Sequence, residues 1–383
     1  MQLHHLRLLA FRAHDATEVA FAPGINFIFG PNGAGKTNLL EAIHYLCLTK
    51  SFVASSDRYV LQQGAPHFEV EGQFSGMRRS ELRVRLAYVP GEGKRVFVNG
   101  APLERLSEIV GMLPVVSFSP DDQALTAEGP DERRRFLDNI ISQAKAAYLE
   151  DRIQYRRTMK QRNELLSQIG RSSSPANARV LASWDAELVR LGSRVIHMRH
   201  QFLLDFATFL AEAYGRIEEV AERPTITYDT IAPLTPDTTR ADIEQAYRDE
   251  LDRVADNERR RGLTLIGPHR DELVFALNGL EVRRYASQGQ HRTFGMALKL
   301  AKYFYLYERL DEAPLFLLDD VFDPLDPERS EAFLTLLEGD AIGQSFVTAT
   351  HAKRFAELVS LDAPTHRVIQ VDDGKVVAPA TAS

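Results

Sequence analysis

Residues 30–37 read Gly-Pro-Asn-Gly-Ala-Gly-Lys-Thr, a fit to G-x-x-x-x-G-K-[ST]. An apolar run, Ile25-Asn26-Phe27-Ile28-Phe29, precedes it, and a helix-forming run, Asn38-Leu39-Leu40-Glu41-Ala42-Ile43, follows. Strand, glycine-rich turn and helix in that order make a phosphate cradle. The glycines let backbone N–H groups come close to phosphate oxygens, and the helix adds its positive N-terminal end. The expected ligand is ATP, held by Gly30, Pro31, Asn32, Gly33, Ala34, Gly35, Lys36, Thr37 and Asn38. Lys36 would reach the β- and γ-phosphates, and Thr37 would place its hydroxyl on Mg²⁺.

A chain of 383 residues exceeds what one core usually holds, so two lobes are expected. The first fifteen residues lack the apolar stretch of a signal peptide. No apolar run reaches the ~18 residues of a membrane span. The single cysteine, Cys47, excludes a disulfide framework and a cysteine metal cluster, and fits a cytoplasmic protein. The formal net charge of −7 means that any contact with nucleic acid needs a local basic patch.

Strand patterns occupy 1–30, 68–74, 81–89, 94–98 and 113–118, with a turn signal at Asn99-Gly100. Residues 131–170 are charged and helical, and 170–178 read as a Gly/Ser/Pro loop. Beyond it Leu181, Trp184, Leu188, Leu191, Val195, Met198 and Phe202 recur at alternating spacings of three and four. That is a heptad seam: either one arm of a short antiparallel helical hairpin or an ordinary amphipathic helix in a helical lobe. Residues 225–240 read as an irregular connector, 263–277 as strand, 289–310 as helix, 313–320 and 345–350 as buried strands, and 367–377 as a hairpin. The expected architecture is α/β: a nucleotide-binding lobe I from 1–120 and 290–383, with a mainly helical lobe II, 121–289, inserted.

The strand Leu315-Phe316-Leu317-Leu318 ends in Asp319-Asp320, the form of a Walker B segment. Asp319 would hold Mg²⁺ directly or through water, and Asp320 would orient or polarise the attacking water. Ser287-Gln288-Gly289-Gln290 opens the following helix and resembles the signature of ATP-binding-cassette (ABC) heads, which closes on nucleotide held by a second subunit. Asp326 fits the D-loop of that class and His351 its switch histidine. The segment Ser119-Pro120-Asp121-Asp122-Gln123 stands where such heads carry a Q-loop; Gln123 is the natural metal contact by type, with Asp121 and Asp122 as alternatives. Catalysis therefore falls to Asp320, His351 and Lys36.

The motif set goes further. Segments 3–15, 29–52, 117–138, 264–273, 287–301 and 317–326, with the runs Gly-Pro-Asp-Glu-Arg-Arg-Arg and Gly-Pro-His-Arg-Asp-Glu-Leu the most specific, resemble the RecF family of bacterial recombination mediators. Two departures are visible: His291 stands where that family usually has Gln, and Phe322-Asp323-Pro324-Leu325-Asp326 replaces its usual Leu-Ser-Glu-Leu-Asp. The resemblance implies a homodimer formed on ATP, slow DNA-stimulated hydrolysis, binding to double-stranded and gapped DNA, and work in DNA repair, replication and the SOS response. It implies RecR, RecO and the RecA recombinase as partners. A transporter-associated nucleotide-binding subunit and a small-molecule P-loop kinase are the rival readings.

Residues 131–162 carry nine Lys/Arg against five acids, a local excess of four and a candidate DNA surface, with Arg259, Arg260 and Arg261 as a second cluster. The rival is a solvated helix face. Arg12 and His14, after the first strand, would either contact nucleotide or simply pack, with Arg12 the candidate nucleotide contact. His269-Arg270 would either brace the lobes or reach an interface.

Overall fold

The computed structural model describes residues 1–77, 79–169, 175–217, 222–322, 327–350 and 363–377. Two compact units divide the chain: Met1–Asp122 with Ala213–Val220 and Gly295–Ser383, and Gln123–Glu212 with Ala221–Phe294.

The first unit begins with β1 (Gln2–Phe11), β2 (His14–Ala20), β3 (Ile25–Phe29), α1 (Lys36–Leu48), β4 (Phe68–Gly76), β5 (Arg79–Val89), β6 (Gly93–Val98), β7 (Ala101–Pro102) and β8 (Val115–Phe118). Then come α2 (Ala124–Ala127), α3 (Pro130–Ala144), α4 (Ala146–Ile169), α5 (Pro175–Ile217), β9 (Pro224–Asp229), α6 (Arg240–Arg261), β10 (Glu272–Leu277), β11 (Leu280–Glu281) and α7 (Val282–Tyr285). The chain closes with α8 (Gln288–Leu310), β12 (Leu315–Leu318), α9 (Pro327–Glu338), β13 (Ser345–Ala349), β14 (Arg367–Asp372) and β15 (Lys375–Val377).

Two sheets build the first unit. One has the order β2-β1-β4-β5-β6-β7 and is antiparallel throughout. Its β6–β7 turn puts Asn99 at φ 50° and Gly100 at φ 85°, the two left-handed residues that a tight hairpin requires. The other has the order β15-β14-β3-β13-β12-β8, parallel except for β15. β12 and β13 are buried at every position, as the inner strands of a parallel sheet covered on both faces must be. One apolar core joins α1 (Leu39, Ile43, Leu46) to Leu6 and Val70 of the antiparallel sheet and to Ile28, Leu317 and Phe346 of the parallel one.

In the second unit, Arg162 pairs with Asp185 (2.6 Å) and Arg194 with Asp151 (3.0 Å). As one helix number rises the other falls, so α4 and α5 run antiparallel. The seam residues Leu181, Leu188, Leu191, Val195 and Phe202 are buried, but so are Val189, Ile196, Phe206 and Leu210. The buried surface is therefore wider than a two-helix seam.

Several expectations need correction. Helix α5 begins at Pro175, inside the segment read as loop; proline suits a first helical turn, where its missing N–H costs nothing. The supposed connector holds β9, whose Thr225, Ile226, Thr227 and Tyr228 are strand formers and pair with β10. Only Glu272–Leu277 of 263–277 is strand. The preceding residues are held as a loop, because Gly267 (φ 115°) lies where a Cβ would come within 2.0 Å of Tyr247 Oη.

That loop is anchored by buried ions. Arg199 donates to the Pro268 carbonyl (2.6 Å), Asp271 (2.7 Å) and Asp138 (2.7 Å). Asp271 also accepts from Thr230 (2.6 Å) and Tyr228. His269 lies between Tyr155 Oη (2.8 Å) and the Thr264 carbonyl (3.3 Å), so this motif braces the second unit internally. Burial pushes the Asp138 carboxyl up in pKa, but Arg199, Arg152 and the Tyr148 hydroxyl outweigh it, and the group sits below its ordinary value.

A depressed carboxyl contributes stability above its unfolded pKa of about 3.9 and loses it as pH falls through the folded value. Arg199→Met strips the opposing charge and leaves Asp138 and Asp271 buried beside an apolar group. It should cost about 3–5 kcal/mol and move the acid unfolding midpoint to higher pH, both read by circular dichroism. An unchanged acid midpoint would show that Arg199 does not hold Asp138 ionised.

Candidate active site

The cradle is built from its glycines outward. Gly30 has φ 158°, and a Cβ there would meet the Val371 carbonyl at 2.0 Å. Gly35 lies in the left-handed region at φ 104°, with His14 Nε2 3.0 Å from where a Cβ would be. Gly33, at φ 81°, has nothing within 4 Å of that position, so this side of the turn is open to an approaching oxygen. Lys36 is buried and donates to the carbonyls of Gly30 (2.9 Å) and Pro31 (3.1 Å). That leaves one of its three ammonium protons for an anion. The first turn of α1 contains no acid, so its positive end is not neutralised.

His14, fully buried, props this turn from behind. Its ring nitrogens face the carbonyls of Gly35 (3.0 Å) and Gly374 (2.7 Å). Burial pulls the imidazole pKa down, and the two carbonyls only partly restore it.

Sheet order brings the acids to the cradle. β13 lies between β3 and β12, so the C-terminal ends of the three strands stand side by side. Asp319 Oδ1 accepts from Thr37 Oγ1 (2.9 Å) and Thr348 Oγ1 (2.7 Å). Thr348 Oγ1 in turn accepts from the Asp320 N–H (2.9 Å). Burial raises the Asp319 pKa; the Thr348 and Thr37 hydroxyls oppose this, and the Asp320 charge adds to it. Asp320 has φ 47°, a left-handed conformation uncommon outside glycine and of the kind found at functional sites. A hydroxyl and a carboxylate at the rim of a phosphate cradle suit Mg²⁺, which uses few protein ligands and completes its shell with phosphates and water.

Sequence reading missed Thr348, which appeared only as part of a buried strand. Its signal was a polar residue, fully buried here, at the C-terminal end of a buried strand.

The remaining candidates fall elsewhere. Arg12 Nε and Nη2 fork onto Glu41 (both 2.8 Å), and Nη1 donates to the Tyr59 carbonyl (3.0 Å), which occupies three of its five N–H groups. Asn32 Oδ1 accepts from Thr350 (3.2 Å). Asp122 is engaged by Ser119 N–H (2.8 Å) and Lys299 (2.7 Å), whereas Gln123 is exposed and its side chain makes no hydrogen bond among the described residues. In the second unit, Ser287 and Gln290 cap α8 reciprocally: Ser287 N–H donates to Gln290 Oε1 (2.8 Å) and Gln290 N–H to Ser287 Oγ (3.2 Å). Gln290 Nε2 also donates to Glu222 (2.7 Å), so its amide serves the cap, while Ser287 and Gln288 are exposed and Gly289 half-buried. Asp326 and His351 lie outside the described residues.

Basic charge in 131–162 is smaller than its count. Arg133, Arg134, Arg135, Arg152 and Arg162 are spent on Glu272, Asp131, Glu132, Asp138 and the Asp185/Glu258 pair. Lys145, Arg156, Arg157 and Lys160 stay exposed, with no ion pair among the described residues.

A basic, glycine-lined turn facing a buried acid across the end of a parallel sheet is what a nucleoside triphosphate and its cation require, and it defines the class as a P-loop ATPase, which the comparisons narrow to an ABC-type head. Comparison with known proteins agrees. A family model described as RecF/RecN/SMC N terminal domain matches residues 2–375. The chain is 58% identical over 381 residues to the DNA replication and repair protein RecF of Salinibacter ruber, covering 100% of this chain and 92% of that one. It is 47% identical over 363 residues to the protein of the same name from Chloroherpeton thalassium, covering 94% and 97%. A solved structure of the recombination mediator protein RecF-ATP in the RecFOR pathway superposes with TM-score 0.90 at 30% identity, covering 99% of this chain and 97% of that one. An Smc head domain from Pyrococcus furiosus, at 16% identity, TM-score 0.55 and coverage of 98% and 95%, shares the fold. The chain belongs to the RecF family. Its relatives are DNA repair proteins rather than transporter subunits, and no helix among the described residues is long and apolar enough to cross a membrane.

Thr348→Val removes one donor to Asp319 and the acceptor of the Asp320 N–H. ATP turnover should fall roughly 10- to 100-fold, as for other outer-shell partners of a metal site, with Thr348→Ser restoring most of it. Wild-type turnover in a folded Thr348→Val protein would remove Thr348 from the site.

Proposed function

We propose that this chain is an ATP-dependent, DNA-binding recombination mediator of the RecF kind. It dimerises on ATP, binds DNA at gaps and single-strand/double-strand junctions, and supports recombinase loading in repair and replication. The observation that carries the reading is the bracket of Thr37, Asp319 and Thr348 at the mouth of the glycine turn, in a chain whose relatives are RecF proteins.

Gly30 to Asn38 wrap the phosphates, and Lys36 supplies charge to the β- and γ-phosphates. Thr37 and Asp319 hold Mg²⁺, with Gln123 completing the set. Held there, the cation would supply charge neutralisation to the phosphates. Asp320 orients the attacking water, and His351 stands by the γ-phosphate. Ser287 and Gly289 of one copy, at the open tip of α8, seal the nucleotide held by the other, and Asp326 lies at the contact between copies. Arg12 keeps two N–H groups for the nucleotide. Lys145, Arg156, Arg157 and Lys160 meet DNA phosphates without reading sequence. RecR, RecO and the RecA recombinase are the expected partners, in the cytoplasm.

ATP drives dimerisation by binding the closed pair better than the separate copies. Sedimentation should give a dimer with ATP and a monomer without nucleotide or with ADP. Lys36→Arg should abolish that shift, and Asp320→Asn should dimerise yet turn over slowly. A Lys36→Arg protein that still dimerised on ATP would break the model. Alanine at both Arg156 and Arg157 should weaken duplex binding and flatten its salt dependence by about two in slope; an unaltered slope would place DNA elsewhere.

A further inference from the structure

The turn Pro120–Gln123 leaves β8 beside the buried acid. Phe118 lies opposite Leu318 in the β8–β12 register, and its carbonyl accepts from the Asp319 N–H (2.9 Å). Asp122 closes this turn on itself: its N–H donates to the Ser119 carbonyl (3.0 Å), and its Oδ2 accepts from the Ser119 N–H (2.8 Å). A second hold comes from α8. Lys299, buried at 6% exposure, donates to Asp122 Oδ1 (2.7 Å) and to the Ser117 carbonyl (2.8 Å). It sits about three turns along the helix from Gly289.

An ion pair with its lysine buried and its aspartate half-buried is a costly way to dock a helix on a sheet, since an apolar side chain of the same size usually does as well. What it adds here is direction. Both Asp122 oxygens are committed, one to each hold, so the turn has a single geometry, and Gln123, the next residue, projects from it with an exposed side chain. The two segments tied together are the one that presents Gln123 and the helix that Ser287 caps.

We propose that Lys299 is a positioning residue for ATP hydrolysis. Through Asp122 it fixes the turn that carries Gln123, and so sets where that side chain stands when triphosphate is bound. Lys299 itself touches neither nucleotide nor metal. The inference rests on the ATPase reading of the cradle.

The test uses the full chain as wild type, Lys299→Met, Lys299→Arg, Asp122→Asn and the Lys299→Met/Asp122→Asn double variant. The measurements are melting temperature, the Kd of a non-hydrolysable ATP analogue, kcat, KM and the Mg²⁺ concentration for half-maximal rate. In Lys299→Met, kcat should fall roughly 10- to 100-fold, while the analogue Kd stays within about threefold and the Mg²⁺ concentration for half-maximal rate rises, because the displaced side chain is the one that completes the metal's set. Lys299→Arg should recover most of the rate. The double variant should be no slower than the worse single one, because the two residues act as a unit. Unchanged kcat in Lys299→Met, losses that multiply in the double variant, or a Mg²⁺ requirement that shifts in Asp122→Asn but not in Lys299→Met, which would make Asp122 itself a ligand, each overturns the proposal. If Lys299→Met does not fold, Asp122→Asn decides: its amide oxygen still serves Ser119 while the charge facing Lys299 is gone, and a wild-type kcat would refute the positioning role. A wild-type chain unable to hydrolyse ATP would instead sink the underlying reading, and this one with it.

Discussion

A single carboxylate shared by two threonines organises the first unit. Asp319 accepts from Thr37, at the start of α1, and from Thr348, at the end of β13. Those hydroxyls offset part of the cost of burying the acid, which burial alone makes harder to ionise. They can do so only because β13 lies between β3 and β12. Were β12 next to β3, no side chain from β13 could stand between turn and acid. The position matches the general rule for open parallel sheets, where ligands gather at the carboxyl ends of the strands.

The second unit depends on charge in a different way. Its interior holds Arg162 with Asp185 and Glu258, and Arg199 with Asp138 and Asp271, each arginine almost wholly buried. Such networks add little net stability over apolar packing, but they are strongly directional. Arg199 reaches two segments at once: α3 through Asp138, and the 267–271 loop through the Pro268 carbonyl and Asp271, the residue just before β10. The Gly-Pro-His-Arg-Asp run is thus explained mostly as a brace. Glycine admits the tyrosine hydroxyls, the proline carbonyl and the aspartate take Arg199, and His269 meets Tyr155, while Arg270 stays exposed.

Local features were legible in the sequence. Strand INFIF, its glycine turn and α1 are contiguous, and each part requires its own residue type, so residues 25–48 could be assigned without tertiary information. The acid-tipped strand at 315–320 and the Asn99-Gly100 hairpin were legible for the same reason. Strand order was not, because it is set by contacts far apart in the chain, and Thr348 therefore looked like one more core position. The segment before β10 misled because Leu263, Leu265 and Ile266 imitate a strand, whereas Gly267 and the ions around it dictate a loop.

Charge was the least legible property, for a reason that applies beyond this chain. A count over 131–162 treats every arginine as available, but helices α3 and α4 turn Arg133 and Arg162 inward and satisfy Arg134 and Arg135 one turn back along α3. What survives as field toward solvent is Lys145, Arg156, Arg157 and Lys160, with Arg156, Arg157 and Lys160 within about one turn on α4. A cluster so compact can follow one run of phosphates but cannot by itself span a groove. If this cluster meets DNA as proposed, longer contact with a duplex would require the same cluster twice, one from each copy of the proposed dimer.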